Sequence, residues 1–224
     1  MSTILITGAS RGLGLELARQ YAADGWQVIG TVRDDASKKR LEKLGAEAHT
    51  LDVADFQRVR EFARRLDGKA LDIVFCNAGI SGKRGVELGS FDYDSWAEVL
   101  RTNLLGAAAV AEALVDNVAA SQRKVIAMMS SRLGSITEAS GMTIPYSTSK
   151  AALNMLVKGL AANLSARGIT VVAFSPGWVR TDMGGAGAAL APETSVGGLR
   201  KVLNGLKSAD SGKFFSYDGS GIPW

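Results

Sequence analysis

Short, uniformly apolar runs alternate with longer segments of helical period from one end of the chain to the other. The runs fall at 3–7, 27–32, 48–52, 73–77, 124–130, 170–175 and 214–217. Most show no polar alternation, as in Ile73-Val74-Phe75-Cys76, which is how strands read when both faces of a parallel sheet are covered. Helical patterns lie between them at 13–23, 55–66, 95–117 and 146–166, with a weaker one near 195–207. Strand, helix, strand in this order predicts βαβ units with right-handed crossovers, hence an α/β fold built on a doubly wound parallel sheet. No linker or low-complexity stretch divides the 224 residues, so a single domain over 1–224 is expected. Two stretches, 82–89 and 184–193, are rich in glycine or alanine and follow strands, which makes them expected walls or lids of a pocket.

Composition narrows the chemistry. A formal charge of +4 with dispersed basic residues offers no stripe for nucleic acid, and the run Lys38-Lys39-Arg40 reads as a solvated helix start. One cysteine, Cys76, sits in an apolar strand and reads as a small buried hydrophobe. One histidine, His49, cannot build a histidine metal site, so no metal is expected. Residues 1–8 lack the basic head and long apolar segment of a signal peptide, and no apolar run reaches membrane-spanning length. A cytoplasmic protein without membrane or nucleic-acid partners is expected.

The first strand runs into Thr7-Gly8-Ala9-Ser10-Arg11-Gly12-Leu13-Gly14 and then a helix. Glycines there permit a tight turn and bring a phosphate onto backbone N–H groups at the helix start, the Rossmann arrangement for dinucleotides. At the end of the second strand an acid would accept hydrogen bonds from the ribose hydroxyl of NAD. Val32 stands there instead and Arg33 follows, while Arg11 in the turn can reach the same place. Two guanidiniums suit a phosphate monoester, so NADP(H) is the expected cofactor. Asp34 and Asp35, just beyond, argue the other way. Further along, Tyr146 and Lys150 open a helix four residues apart, on one face. An ammonium beside a phenol favours the phenolate, which would draw the tyrosine pKa toward working pH and suit it to proton transfer. A surface helix pair would read the same way.

Taken in order, the motifs resemble the short-chain dehydrogenase/reductase family over nearly the whole chain. By that resemblance Gly8, Ser10, Arg11, Gly12, Leu13 and Gly14 form the cofactor turn, and Asp52-Val53 contact adenine. Asn77-Ala78-Gly79 close the fourth strand, and Pro176, Gly177, Val179 and Thr181 follow the sixth, with Thr181 meeting the nicotinamide amide. Asn103, Ser131, Tyr146 and Lys150 match the catalytic set. The segments 130–136, 176–183 and 215–219 look like the sniffer/C-factor group of carbonyl reductases. Ser131 lies fifteen residues before Tyr146 where the family usually has thirteen, which two extra residues in the 138–143 loop explain; Ser130 and Ser135 are the alternatives.

The resemblance implies that NADPH delivers hydride to the carbonyl carbon of an aldehyde, ketone or quinone. Ser131 would bind the carbonyl oxygen and Tyr146 would donate the proton. Lys150 would hold the nicotinamide ribose and tune Tyr146, and Asn103 would hold a water that replenishes the proton. Arg132, beside the serine, either faces the pocket or is solvated. The helices 95–117 and 146–166 are the expected surface for a homo-oligomer. A cofactor-sensing or signalling protein of the same fold, and an NAD-linked alcohol dehydrogenase, are the competing readings.

Overall fold

A computed structural model of the chain describes residues 1–83 and 85–224. Its seven strands are β1 (Thr3–Ile6), β2 (Gln27–Val32), β3 (Glu47–Thr50), β4 (Ile73–Cys76), β5 (Val125–Met129), β6 (Thr170–Ser175) and β7 (Phe214–Ser216). All pair in parallel, in the order β3-β2-β1-β4-β5-β6-β7. The chain moves outward from β1 to β3 and then crosses back to β4, so the order reverses between β1 and β4. A crevice opens at such a switch point, beyond the carboxyl ends of the strands.

The helices are α1 (Gly12–Ala23), α2 (Asp35–Glu42), α3 (Phe56–Arg64), α4 (Tyr93–Leu100), α5 (Ala107–Ala119), α6 (Ile144–Asn163) and α7 (Pro192–Gly205). Side chains alternate across the strands: Leu5 joins one buried cluster with α3, α5 and α6 residues, whereas Ile4 and Ile6 join the other with α1, α2 and α7 residues. That period of two is why continuous apolar runs were needed on both faces.

Helix starts follow local chemistry. The carboxylates of Asp34, Asp55 and Asp92 accept from the N–H groups of Ser37, Arg58 and Ser95, so α2, α3 and α4 each begin on an aspartate cap. The helices α6 and α7 have no side-chain cap and carry a proline in the first turn instead, Pro145 and Pro192, whose fixed φ suits a helix start; both begin before the expected 146 and 195. The expected helix 95–117 is three pieces: α4, a π-helical segment Arg101–Gly106, and α5. Gly106 lets this segment close on Val53, since an added Cβ would lie 2.8 Å from Val53 Cγ2. Of the expected loop 82–89, Arg84 lies outside the described residues. Among the described residues no helix is long and apolar enough to cross a membrane.

Candidate active site

The turn after β1 is closed by its neighbours. Gly8 N–H donates to the Thr31 hydroxyl at 3.3 Å. Thr7 Oγ1 accepts from the N–H groups of Asn77 and Ala78, at 3.0 and 3.1 Å. Asn77 Nδ2 returns two bonds, to the carbonyls of Thr7 and Gly8. A Cβ on Gly14 would fall 2.3 Å from the Gly8 carbonyl oxygen and 2.6 Å from Asn77 Nδ2, so only glycine lets α1 begin this close to the turn. No side chain caps α1 among the described residues, which leaves its first N–H groups for an anion.

These residues line a cleft of about 250 Å³. Its walls include Gly8, Ser10, Arg11, Gly12, Leu13, Gly14 and Arg33 on the turn side, and Asp52, Val53, Asn77, Ala78 and Gly79 across from them. Tyr146, Lys150, Pro176 and Thr181 line it too, with Thr181 packed beside Gly12 of the turn. Gly177 and Val179 stand apart from this wall. Val179 is buried in a bridge to Leu190, and Gly177, at φ +77°, packs against the same leucine. They shape the segment that presents Thr181. Ile80, Thr102, Met129 and Met183 also line the cleft, and nothing in their local sequence marks them out.

At the end of β2, Val32 is buried and Arg33 is exposed at the cleft. Asp34, the residue that argued for NAD, is occupied as the α2 cap: the Ser37 N–H and hydroxyl both bond its carboxylate and hold it below the usual range. Arg11 pairs with Asp182 at 2.9 Å, linking the turn to the loop after β6. Arg40 reaches the Ser10 carbonyl at 3.4 Å, a proximity that comes from α2, which begins at Asp35 and not at the helix start expected over 38–40.

The cleft also carries titratable groups. Tyr146 and Lys150 lie on α6, with the Lys150 Nζ 5.6 Å from the phenol ring centroid. That Nζ donates to the Met129 carbonyl at 2.8 Å. Burial pushes Tyr146 up to about 12, and a side-chain hydrogen bond with Ser131 draws it only partly back. Burial also pushes Lys150 down to about 8. The expectation that the ammonium pulls the phenol toward working pH is thus corrected: desolvation by burial dominates and raises the phenol instead, so Tyr146 is neutral near pH 7. Thr143, at φ +50°, precedes this helix in a backbone region that costs a β-branched residue on the order of 1 kcal/mol or more.

Of the three candidate serines, Ser131 is the one whose side chain lowers the Tyr146 pKa, and its Oγ accepts from Leu133 N–H at 3.3 Å; Ser130 rather than Ser131 lines the cleft itself. Ser130 is buried and donates to Asn154, and Ser135 donates to the Pro223 carbonyl at 2.7 Å. The neighbouring Thr137 bonds the Trp224 carbonyl oxygen through its N–H and hydroxyl, while the Trp224 ring stacks on Phe214. Arg132 is paired with Glu138 at 2.8 Å. Asn103 sits in the π-helical segment, a distortion frequent at functional sites. Its Oδ1 accepts from Ile80 N–H, and its Nδ2 donates to the Ile80 carbonyl and the Ser149 hydroxyl, bracing the end of β4 against α6. Gly79 permits this convergence, since a Cβ there would lie 3.1 Å from Asn103 Oδ1 and 3.5 Å from Lys150 Nζ.

Known proteins are similar to this chain in sequence and fold. The short chain dehydrogenase family matches residues 2–189. The C-signal of Myxococcus xanthus is 37% identical over 167 residues, which cover 74% of this chain and all of that protein. A short-chain dehydrogenase/reductase of Burkholderia multivorans, crystallised with NADP, superposes with a TM-score of 0.90 at 35% identity over 100% of this chain and 99% of its own. The carbonyl reductase Sniffer of Drosophila melanogaster superposes with a TM-score of 0.92 at 32% identity, over the whole of both chains.

Proposed function

The chain belongs to the short-chain dehydrogenase/reductase family, and from that premise we propose that it is an NADPH-dependent reductase of aldehydes, ketones or quinones. The observation that carries this reading is a protonated phenol, Tyr146, lining one cleft together with Lys150 and the glycine turn, with Ser131 acting on the phenol. The glycine turn, with the free N–H groups of α1, fits a pyrophosphate, and Arg33 beside the cleft fits a 2′-phosphate. The Burkholderia multivorans relative crystallised with NADP supports the same choice.

When bound, NADPH supplies the hydride. The chain's own groups then act on the carbonyl oxygen. The Ser131 hydroxyl donates to it, and Tyr146 gives up its phenolic proton as negative charge develops there. A phenol held neutral by burial is the right protonation state for a donor. Lys150, within 5.6 Å of the ring, limits the cost of the phenolate that remains. Asn103 keeps Ile80 and α6 in register, so that Gly79 and Lys150 stay apposed.

Tyr146→Phe tests the reading. Turnover of an aromatic aldehyde or quinone should fall by roughly 10²–10⁴-fold, the range a general acid contributes, with NADPH affinity nearly unchanged. Near-normal turnover in this variant overturns the assignment. The similarity to a protein named C-signal favours a signalling role as the second reading. A wild-type chain that binds NADPH yet oxidises none of it across a panel of carbonyl compounds would prefer that reading.

A further inference from the structure

Tyr146, Lys150 and Asn154 follow one another at intervals of four along α6 and so share one face of the helix. Asn154 is buried and takes no part in the chemistry proposed above. Both ends of its carboxamide are committed. Oδ1 accepts from the Ser130 hydroxyl at 2.6 Å, and Nδ2 donates to the Gly134 carbonyl at 3.0 Å. These two partners bracket Ser131 in the chain, one immediately before it and one at the end of the short helical turn Arg132–Gly134.

The contact between that turn and α6 is close. A Cβ on Gly134 would lie 2.8 Å from both Cβ and the carbonyl carbon of Lys150, so the two backbones pack with no room for a side chain. Asn154 therefore ties Ser131 to the helix that carries Tyr146, at a point one turn below Lys150. We propose that Asn154 is a positioning residue for carbonyl reduction, fixing the Ser131 hydroxyl against the Tyr146 phenol by holding the chain on both sides of the serine. This rests on the reading of Ser131 and Tyr146 given above.

A purely structural asparagine would also satisfy buried polar groups, and the chain contains one for comparison. Asn117 is likewise buried and donates to the carbonyls of Leu66 and Lys69, in the connection between α3 and β4 and away from the cleft. Removing either side chain strands buried partners and lowers stability. Only one of them should alter catalysis.

The experiment is a double-mutant cycle read with a quinone or aromatic aldehyde that the wild type reduces. Asn154→Ala should lower kcat by about 10–100-fold, with NADPH affinity, measured by nicotinamide fluorescence, within about threefold of wild type. Asn117→Ala should lower the Tm comparably and leave kcat within about twofold. Ser130→Ala, which removes one bond and adds no bulk, keeps the test available should Asn154→Ala fold poorly; its kcat should fall several-fold. In the Ser131→Ala background both losses should largely vanish, because the group being positioned is gone. Full and independent losses in that background, or a kcat for Asn154→Ala that falls no further than that of Asn117→Ala, would overturn the proposal. If Tyr146→Phe retains turnover, the reading of the site itself fails. A dead Tyr146→Phe beside a normal Asn154→Ala removes only the positioning role.

Discussion

The Lys150 ammonium is fastened to the end of β5, where its Nζ meets the Met129 carbonyl oxygen at 2.8 Å, in the interior of the protein. One hydrogen bond compensates poorly for a buried charge, and the lysine is displaced to about 8 by that desolvation. A base whose folded pKa lies below its unfolded value loses its proton first in the folded state. The unfolded chain then binds more protons between about pH 8 and the ordinary lysine value near 10.5, so this group's contribution to stability rises with pH across that window. Tyr146 works in the opposite sense, destabilising the fold as pH rises from about 10 to about 12.

Lys150→Met should therefore stabilise the cofactor-free protein at pH 7, by roughly 1–3 kcal/mol, while abolishing turnover. Thermal melts of both proteins from pH 6 to 9.5 check this. The gap should narrow above pH 8; a Tm lower than wild type at pH 7 would mean that the lysine supports the fold.

On the proposed reading, cofactor choice turns on Arg33. With Asp34 occupied as the α2 cap, the ribose end of the cleft presents Arg33 free of that carboxylate. Arg33→Ala should weaken NADPH by about 10–100-fold, the equivalent of roughly 1.5–3 kcal/mol for a charged hydrogen bond, and leave NADH little changed. Titration of both cofactors distinguishes this from an equal loss, which would make Arg33 structural.

Two helical glycines should respond with opposite signs. Gly14→Ala forces a methyl against the Gly8 carbonyl and Asn77, so it should lower the Tm and abolish cofactor binding. Gly159→Ala, in the exposed middle of α6 with nothing within 4 Å of the new Cβ, should stabilise by about 0.5–1 kcal/mol. Calorimetry of the pair reads this directly, and a destabilised Gly159→Ala would show that α6 is packed there against a second surface.

The sheet was legible because parallel strands must be apolar on both faces, and 73–76 or 170–175 admit no other period. The glycine turn, Tyr146 and Lys150 were legible because their chemistry lies in local spacing. The helix α2 showed only as the charged run at 38–40, three residues past its true start: among Asp35–Glu42 only Ser37 and Leu41 are buried, so no apolar stripe marks where it begins. With that start went the position of Arg40. The π-helical segment was invisible for a different reason, since its residues keep a helical pattern and only the packing of Asn103 against Ile80 and Ser149 reveals the shift. Asn154 depends on a loop meeting a helix, a tertiary fact with no signature in the residues around it. The pH behaviour of Tyr146 was misjudged because burial cannot be read from the spacing of a lysine.

The bonds from Ser135 and Thr137 to Pro223 and Trp224 have a consequence for which part of the protein can loosen alone. They fasten the loop that follows Ser131 to residues more than eighty positions further along the chain. The glycine turn is held instead by Thr31 and Asn77, and among the described residues none of these bonds reaches that pair. Loosening Pro223 and Trp224 would therefore unsettle the loop beside Ser131 and leave the turn after β1 as it stands.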